Sequence, residues 1–258
     1  MLNAIISIVK EASQFFYKDG IEIHNKVGTC NYVTSADIQV EKFLKEKLSS
    51  LIPDSGFIGE EGDFINPDHT YVWVVDPIDG TSNFIRQLNL SCISVGLIKN
   101  GEPHMGVIYN PYTDELYTGE AGKGAFYNGC RLHVSDTPFS EGLFYIGFCQ
   151  YEKANAIPCF RIFERVFPQC EDMRRLGSAA IELSTLAAGK AEFYFEIKLN
   201  PWDYAAAMLF VREAGGYIGT PFLDKVPFDK SVPIVAANTK ENFDKLMKIV
   251  REELKDFV

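Results

Sequence analysis

Hydrophobic residues near the start of the chain recur every three or four positions, which is the spacing of one face of an α-helix. One such series runs over residues 2–9 and a second over residues 40–51. We therefore predict two amphipathic helices joined by a polar loop. Thr34 or Ser35 is expected to cap the second helix, and Asp37 lies in its first turn, where the helix dipole favours negative charge.

From position 71 the pattern changes to short β-branched and aromatic runs, which are typical of strands. The dipeptides Asn100-Gly101 and Asn128-Gly129 indicate tight turns between them. Because short sequential strands joined by tight turns pair with their neighbours, we predict an antiparallel sheet. The runs lie at 71–75, 90–99, 103–109, 115–119, 124–128 and 131–134.

Helical spacing returns in the second half of the chain. The capping sequence Asn200-Pro201 predicts the start of one helix, and Gly215 or Gly216 predicts its end. Alternating blocks of helices and strands favour a layered α+β or α/β fold. We expect a single domain over 1–258, with a seam at 136–141 between sub-lobes 1–137 and 138–258. The predicted elements are helices at 157–167, 178–188, 202–214 and 242–257 and a strand at 191–196.

Charge and composition narrow the function classes. The 258 residues carry 25 Lys+Arg and 35 Asp+Glu, a formal net charge of −10. A nucleic-acid binder needs a basic face, so we expect no nucleic-acid partner. No apolar run approaches the roughly 20 residues of a membrane span, and the first residues do not resemble a signal peptide. We therefore expect a cytoplasmic protein without a membrane partner.

The cysteines and histidines give little sign of a soft-metal site. Six cysteines occur without a C-x-x-C pair, and we expect them to be reduced core thiols. The four histidines are equally scattered, so we expect no histidine-based zinc site. If the protein binds a metal, its ligands are expected to be oxygens.

The segment WVVDPIDGTSNF at 73–84 is the most informative part of the chain. We expect an apolar strand to end at Asp76 because the following proline stops pairing, and Asp79 follows three residues later. Two carboxylates this close repel each other unless a cation lies between them, and Mg²⁺ prefers such oxygen ligands. The Ile78 carbonyl is a third candidate ligand. An ordinary acidic turn is the alternative interpretation.

Three further features supply candidate ligands or anion contacts. The backbone N–H groups of Gly80, Thr81 and Ser82 open a helix-like stretch and favour a phosphate. A short apolar strand at 57–59 ends in Glu60 and Glu61. Asp203 falls in the first turn of a helix, where a simple capping role is the alternative.

Together these motifs resemble the inositol monophosphatase family, which comprises lithium-sensitive, metal-dependent sugar-phosphate phosphatases. The resemblance covers essentially the whole chain and implies a layered αβαβα sandwich of the inositol monophosphatase and fructose-1,6-bisphosphatase type. It also implies a homodimer and inhibition by lithium. The matching segments are GEE at 59–61, DPIDGTSNF at 76–84, the hairpins at 116–135, GSAA at 177–180, and a Trp202-Asp203 helix ending in EAGG at 213–216.

The resemblance implies a set of two to three Mg²⁺ ions. Glu60, Asp76 and the Ile78 carbonyl would hold the first ion. The second would be held by Asp76, Asp79 and Asp203, and Glu60 with waters would hold a weaker third.

The remaining roles also come from the resemblance. Thr81 would orient or deprotonate the attacking water with support from Asp37, and Glu60 would be a third catalytic residue. Lys26 would lie in a loop near the site, and Glu61 would lie near the water network or be structural. Phosphate and substrate contacts would come from Gly80, Thr81, Ser82, Gly177, Ser178, Ala179, Glu196 and Asp203.

The expected activity is Mg²⁺-dependent hydrolysis of a small polyol or sugar phosphate, with inositol monophosphate favoured. Neither a G-x-S-x-G elbow nor a cysteine paired with a base is present in the sequence pattern, so no covalent nucleophile is expected. Fructose 1,6-bisphosphate, 3',5'-bisphosphonucleosides, NADP(H) and histidinol phosphate are alternative substrates. A non-catalytic protein that binds metal or a phosphorylated metabolite is the alternative class.

The substrate side is the least defined part. Residues 139–172 correspond least to the family pattern. Arg174 and Arg175 would either contact a second phosphate or simply flank a helix. Glu196 would accept hydrogen bonds from ring hydroxyls, and a solvated strand end is its alternative interpretation.

Overall fold

The computed structural model describes residues 1–26, 31–62, 64–65, 69–148 and 152–255. The helices in these ranges are α1 (Leu2–Ala12), α2 (Ser35–Leu51), α3 (Thr81–Ile85), α4 (Ala156–Val166), α5 (Ala179–Ala187), α6 (Pro201–Glu213) and α7 (Lys240–Leu254). The strands are β1 (Ile23–Asn25), β2 (Tyr32–Thr34), β3 (Gly56–Gly59), β4 (Phe64–Ile65), β5 (Tyr71–Asp79), β6 (Cys92–Lys99), β7 (Glu102–Asn110), β8 (Glu115–Glu120), β9 (Gly124–Tyr127), β10 (Cys130–Arg131), β11 (Leu143–Gly147), β12 (Asp172–Arg174), β13 (Phe193–Leu199), β14 (Tyr217–Gly219) and β15 (Val232–Ala237).

The first large sheet has eight strands in the order β10-β9-β8-β7-β6-β5-β3-β4. Strands β5 to β10 pair with their sequence neighbours in antiparallel fashion, which confirms the prediction for this region. Both predicted Asn-Gly turns have positive φ angles at each residue, as such hairpins require. The β3–β5 pair is parallel, and the strand predicted at 131–134 is wrong because β10 ends at Arg131.

The second sheet has five strands in the order β12-β11-β13-β15-β14. Strand β11 runs parallel to both β12 and β13, whereas β15 is antiparallel to its neighbours. The prediction of antiparallel pairing therefore does not extend to this sheet. Long helical connections between β11, β12 and β13 explain the difference, since parallel strands need such crossovers. The seam predicted at 136–141 falls between the last strand of the first sheet and the first strand of the second.

The three largest hydrophobic cores in the described ranges hold these elements together in five layers. The first core lies between α1, α2 and the eight-stranded sheet, where Val9, Leu44 and Trp73 are fully buried. The second lies between the two sheets and is filled by α5 and α6. The third lies between the five-stranded sheet and helices α4 and α7. The layer order is αβαβα, an α+β layered fold, which confirms the predicted fold class.

Other sequence predictions have mixed outcomes. Thr34 caps α2 and forms a reciprocal capping box with Asp37. The final helix begins at Lys240 and ends at Leu254, so the predicted end at position 257 lies outside the described residues. No helix in the described ranges is long and apolar enough to cross a membrane.

The cysteine prediction is only partly right. Cys92 and Cys159 are buried free thiols, as expected, but Cys130 is exposed and Cys170 is half-buried. Cys130 is exposed because it lies on the short outermost strand β10. The other two cysteines, at positions 30 and 149, lie outside the described residues.

Candidate metal centre and substrate cleft

A bulge in β5 brings two carboxylates of the DPID segment to the same site. Asp76 pairs with Ser94 of β6 and Asp79 pairs with Cys92, so three steps on β5 oppose two on β6. In a regular strand, residues three apart point to opposite faces, and one extra residue restores the same face. The prediction that the strand ends at Asp76 is wrong because β5 continues through the bulge to Asp79. The bulge is what makes the aspartates converge.

Asp203 joins them from the first turn of α6. Its Oδ2 accepts a hydrogen bond from Asn200 N at 2.7 Å in a capping box, as the capping interpretation predicted. One carboxylate oxygen from each of Asp76, Asp79 and Asp203 nevertheless lies within 4.8 Å of the other two. Capping and membership of an acidic cluster are therefore both true of Asp203.

Helix α6 reaches this position because it packs unusually close to the eight-stranded sheet. A Cβ atom at Gly96 would lie 3.1 Å from Ala205 Cβ, and one at Gly106 would lie 2.9 Å from the Phe210 ring. Larger residues at these two sites would push the helix away from the sheet. The glycines thus set the distance between Asp203 and the end of β5.

Like charge and burial raise the pKa of each cluster carboxyl. For Asp76 the causes are burial first and then the charges of Glu60, Asp79 and Asp203. Burial also raises the pKa of Asp79 to about 6, although hydrogen bonds from Ser178 and Ala180 oppose the increase. The pKa of Asp203 rises through burial and the charge of Asp79. A cluster of oxygen ligands that repel one another fits a hard divalent cation.

Glu60 and Glu61 follow β3 and lie beside this cluster. In this structure Lys26 Nζ lies 3.0 Å from Glu60 Oε1 and 2.7 Å from Glu61 Oε1. Burial lowers the pKa of Lys26, but the two glutamates raise it further, and the net pKa lies above its ordinary value. Glu60 therefore lines the same cleft as Asp76 while its carboxylate is neutralised by an internal cation.

Thr81 and Asp37 each have a hydrogen-bond partner close by in the sequence. Thr81 Oγ1 donates to the Ile78 carbonyl at 3.2 Å. Asp37 Oδ2 accepts from Thr34 N at 2.7 Å and also from the Thr34 hydroxyl. Burial raises the pKa of Asp37 to about 7, opposed by those bonds from Thr34. Asp37 Oδ1 is buried and has no hydrogen-bond partner in the described part of the chain.

The start of α5 forms a second wall. Ser178 Oγ donates to Asp79 Oδ2 at 2.6 Å, and Ala180 N donates to the same oxygen at 2.7 Å. The Ser178 side chain is thus engaged with Asp79 rather than free for a ligand. Gly177, which has φ +80°, lines the cleft with Ala179, and Gly80, Thr81 and Ser82 line it where α3 begins.

Glu196 closes the cleft on the side of the five-stranded sheet. It is half-buried on β13, and its Oε2 accepts a hydrogen bond from the Tyr194 hydroxyl at 2.7 Å. Burial raises its pKa to about 7, opposed by Tyr194 and then by Arg175. The interpretation of Glu196 as a solvated strand end is therefore wrong.

The two arginines have separate positions. Arg174 pairs with Asp172 on an exposed edge strand. Arg175 lines the cleft, with its guanidinium 5.1 Å from the centre of the Phe148 ring. Of the two arginines, Arg175 is therefore the one whose position in the cleft lining allows contact with a bound ligand.

Sequence reasoning missed several residues that support the site. Glu41 Oε2 accepts from Glu61 N at 2.9 Å and holds the turn after β3. Glu182 accepts from the backbone N–H groups of Leu176 and Gly177. Asn83 Nδ2 donates to the Leu90 and Leu176 carbonyls. Glu41 lies one helical turn after Asp37, so its spacing was a usable signal. No comparable signal exists for Glu182 and Asn83, because the tertiary fold decides which backbone groups they contact.

All these walls enclose one cleft of about 750 Å³. Its lining includes the acidic cluster and Glu60, and also Arg175, Glu196 and Lys198. A cavity of this size accommodates a small organic molecule. The family model described as "Inositol monophosphatase family" matches residues 2–255.

The chain belongs to the inositol monophosphatase family. It is 37% identical to the inositol-1-monophosphatase of Rhizobium meliloti over 84% of each chain. It is 40% identical to the Nus factor SuhB of Xylella fastidiosa over 73% of this chain and 68% of that protein. The solved structure of the extragenic suppressor protein suhB from Bartonella henselae has a TM-score of 0.88 and 32% identity, and the match covers 97% of this chain and 98% of that one.

Membership of the inositol monophosphatase family agrees with the resemblance inferred from DPIDGTSNF and the Trp202-Asp203 helix. The inositol monophosphatase family is metal-dependent, and this chain has an acidic cluster that fits a metal. The names of its relatives differ, since one is an inositol-1-monophosphatase and another is a Nus factor. Family membership therefore does not specify which activity this chain has, and that activity must be inferred from the residues of its own cleft.

Proposed function

We propose that the protein is a Mg²⁺-dependent phosphomonoesterase that acts on a small polyol or sugar phosphate, with inositol monophosphate the favoured substrate. The observation that carries the proposal is the cluster of Asp76, Asp79 and Asp203 oxygens in the lining of a cleft. An acidic cleft without bound cations would repel a phosphate ester. A metal-loaded cleft attracts one, because bound cations reverse the local charge.

The chemistry of the ligand set fits hard divalent cations. Asp76, Asp79, Asp203, Glu60 and the Ile78 carbonyl are the oxygen donors that would hold two to three Mg²⁺ ions. When bound, such ions activate water and neutralise charge on the phosphate and the leaving group. To bind a metal ion, Glu60 must give up its ion pair with Lys26. Lys26 would then still have an anionic partner, because it also pairs with Glu61.

The other cleft residues bind and orient the ester. The backbone N–H groups at the start of α3 lack partners within that helix and suit phosphate oxygens. The Thr81 hydroxyl, which donates to the Ile78 carbonyl, would orient a water molecule. Glu196 can accept hydrogen bonds from the hydroxyl groups of a polyol, and Arg175 adds a positive charge beyond it.

A phosphate-release assay over a substrate panel tests the proposal. The panel comprises inositol 1-phosphate, fructose 1,6-bisphosphate, a 3',5'-bisphosphonucleoside and NADP. We expect Mg²⁺-dependent release from inositol 1-phosphate above the others, loss of release with EDTA, and inhibition by lithium at limiting Mg²⁺. If another ester of the panel is hydrolysed faster, that ester replaces inositol 1-phosphate as the proposed substrate. Binding of Mg²⁺ and esters without release from any of them would contradict a phosphatase and favour a non-catalytic role.

Substitution of Glu196 by Gln is expected to raise KM for inositol 1-phosphate about tenfold with little change in kcat. The amide loses the negative charge that strengthens hydrogen bonds from substrate hydroxyls. Steady-state kinetics with p-nitrophenyl phosphate, which has no hydroxyl groups, supply the comparison. Equal losses for both substrates would contradict a polyol-recognition role and indicate general damage to the cleft.

A further inference from the structure

The hydrogen-bond donors that hold Asp79 come from a different layer of the fold. Asp79 ends β5 of the eight-stranded sheet, whereas Ser178 and Ala180 lie at the start of α5. Ser178 Oγ donates to Asp79 Oδ2 at 2.6 Å, and Ala180 N donates to it at 2.7 Å. One carboxylate thus joins a sheet to the helix layer beside it.

Both groups are buried, which strengthens their interaction. Ser178 is 1% exposed and Asp79 is 7% exposed. A hydrogen bond between a hydroxyl and an ionised carboxylate is stronger than one between neutral groups, and low solvent access increases the effect. Ser178 Oγ also accepts from Ile181 N at 3.4 Å, so the same hydroxyl caps α5. Its proton is therefore directed toward Asp79.

The Ser178 and Ala180 bonds both engage Oδ2 of the Asp79 carboxylate. A further backbone hydrogen bond from Ala179 also favours the ionised form of Asp79. One oxygen of this carboxylate lies within 4.8 Å of oxygens of Asp76 and Asp203, so the bonds from the start of α5 fix a member of the acidic cluster. Partners that fix a ligating carboxylate in this way reduce the freedom it must lose when a metal binds.

Further contacts hold the two segments together independently of that hydroxyl. Asn83 Nδ2 donates to the Leu176 carbonyl at 2.7 Å. A Cβ atom at Gly80 would lie 3.2 Å from the Gly177 carbonyl and 3.3 Å from Ser178 Cβ, so the backbones are closely packed. Removing the Ser178 hydroxyl should therefore change the orientation of Asp79 without separating the segments.

We propose that Ser178 is a positioning residue that orients Asp79 for divalent-cation binding. It acts through the carboxylate and has no need to touch the substrate. The proposal rests on the metal-dependent function proposed above, and it assigns to the Ser178 side chain a role distinct from backbone contact with a sugar ring.

The test compares Mg²⁺ binding to wild type and Ser178→Ala by isothermal titration, with kinetics over a range of Mg²⁺ concentrations. Loss of a hydrogen-bond partner of a ligating carboxylate commonly lowers metal affinity 10- to 100-fold. We expect Kd for Mg²⁺ to rise at least about tenfold, with kcat largely recovered at saturating Mg²⁺. Ser178→Thr, which keeps the hydroxyl, should bind Mg²⁺ like wild type.

Ser184→Ala is the matched control. Ser184 lies in the same helix and is fully buried, and its hydroxyl has no hydrogen-bond partner in the described part of the chain. Its Mg²⁺ affinity should equal that of wild type. If Ser178→Ala fails to fold, Ser178→Gly carries the same comparison, because glycine is tolerated at helix N-caps.

The outcomes separate this inference from the proposed function. Wild-type protein that binds no Mg²⁺ would overturn both. Wild type that binds Mg²⁺, together with a hydroxyl-free variant whose Kd lies within twofold of it, would overturn the role of Ser178 alone. Equal losses in Ser178→Ala and Ser184→Ala would also contradict it, since they would indicate a general effect on α5.

Discussion

Replacement of Asp79 by Asn is expected to reduce Mg²⁺-dependent phosphate release by at least about 10²- to 10³-fold, the scale of losing one strong electrostatic contribution at an active site. The amide keeps the shape of the side chain, and its oxygen can still accept from Ser178 and Ala180. It loses the negative charge that is shared with Asp76 and Asp203. Measurement of kcat/KM at saturating Mg²⁺ gives the size of the loss.

The comparison variant is Asp136→Asn, which makes the same chemical change at an exposed aspartate on the segment between the two sheets. It should retain wild-type turnover. Circular dichroism and thermal unfolding should show that both variants are folded. Undiminished turnover in Asp79→Asn would rule out the metal-based mechanism, because this carboxylate is one of the three in the acidic cluster.

The second large effect concerns the stability of the protein without metal. In the presence of EDTA we expect the thermal midpoint to fall as the pH rises from 5 to 8. Burial raises the pKa of Asp79 to about 6, of Glu196 to about 7 and of Glu182 to about 8, from ordinary values near 4. Repulsion from other cleft carboxylates adds to the effect of burial at each site.

The direction of this pH dependence follows from proton linkage. Between pH 4 and 8 the folded state holds protons that the unfolded state has released, so the free energy of unfolding decreases with pH. The stabilising contribution is complete below about pH 4, the ordinary carboxyl pKa, and is lost as the pH rises through the folded-state values. Thermal unfolding in EDTA across this range measures it.

Addition of Mg²⁺ should reverse the loss, and most strongly at pH 8, where the carboxylates are ionised. A ligand at 100 times its Kd stabilises a protein by about 2.7 kcal/mol. In Asp79→Asn the Mg²⁺ effect should shrink, while the metal-free protein should become more stable because one buried charge is gone. A thermal midpoint that is independent of both pH and Mg²⁺ would contradict an acidic cation site.

Much of the candidate site was predictable because several of its carboxylates lie in short, recognisable sequence motifs. Asp76 and Asp79 were recognisable from their spacing after an apolar strand. The ligand role of Asp203 came from the family resemblance, because its place in the first turn of a helix by itself indicates a cap. The sequence could not show that Asp203 would reach Asp76, because their proximity depends on how closely α6 packs on Gly96 and Gly106. It also could not show that Lys26 bridges Glu60 and Glu61, since these contacts join the residue after β1 to the turn after β3.

Errors in the predictions have physical causes of the same kind. The strand was expected to end at the proline after Asp76, yet the backbone accommodates that proline within a bulge. The strand predicted at 131–134 stops at Arg131, where the short outermost strand β10 ends. The spacing of apolar residues along the chain does not indicate where a bulge forms or where a strand ends.

The sequence by itself determined the helices, their caps, the hairpins and the types of ligand in the cleft, because these depend on residues close together along the chain. Spacing, capping and turn chemistry act over a few positions. Only the tertiary structure decided the parallel pairing of β3 with β5, the common direction of Asp76 and Asp79, and the bond from Ser178 to Asp79. These features depend on strand register and on the packing of layers, where residues far apart in sequence compete for the same space.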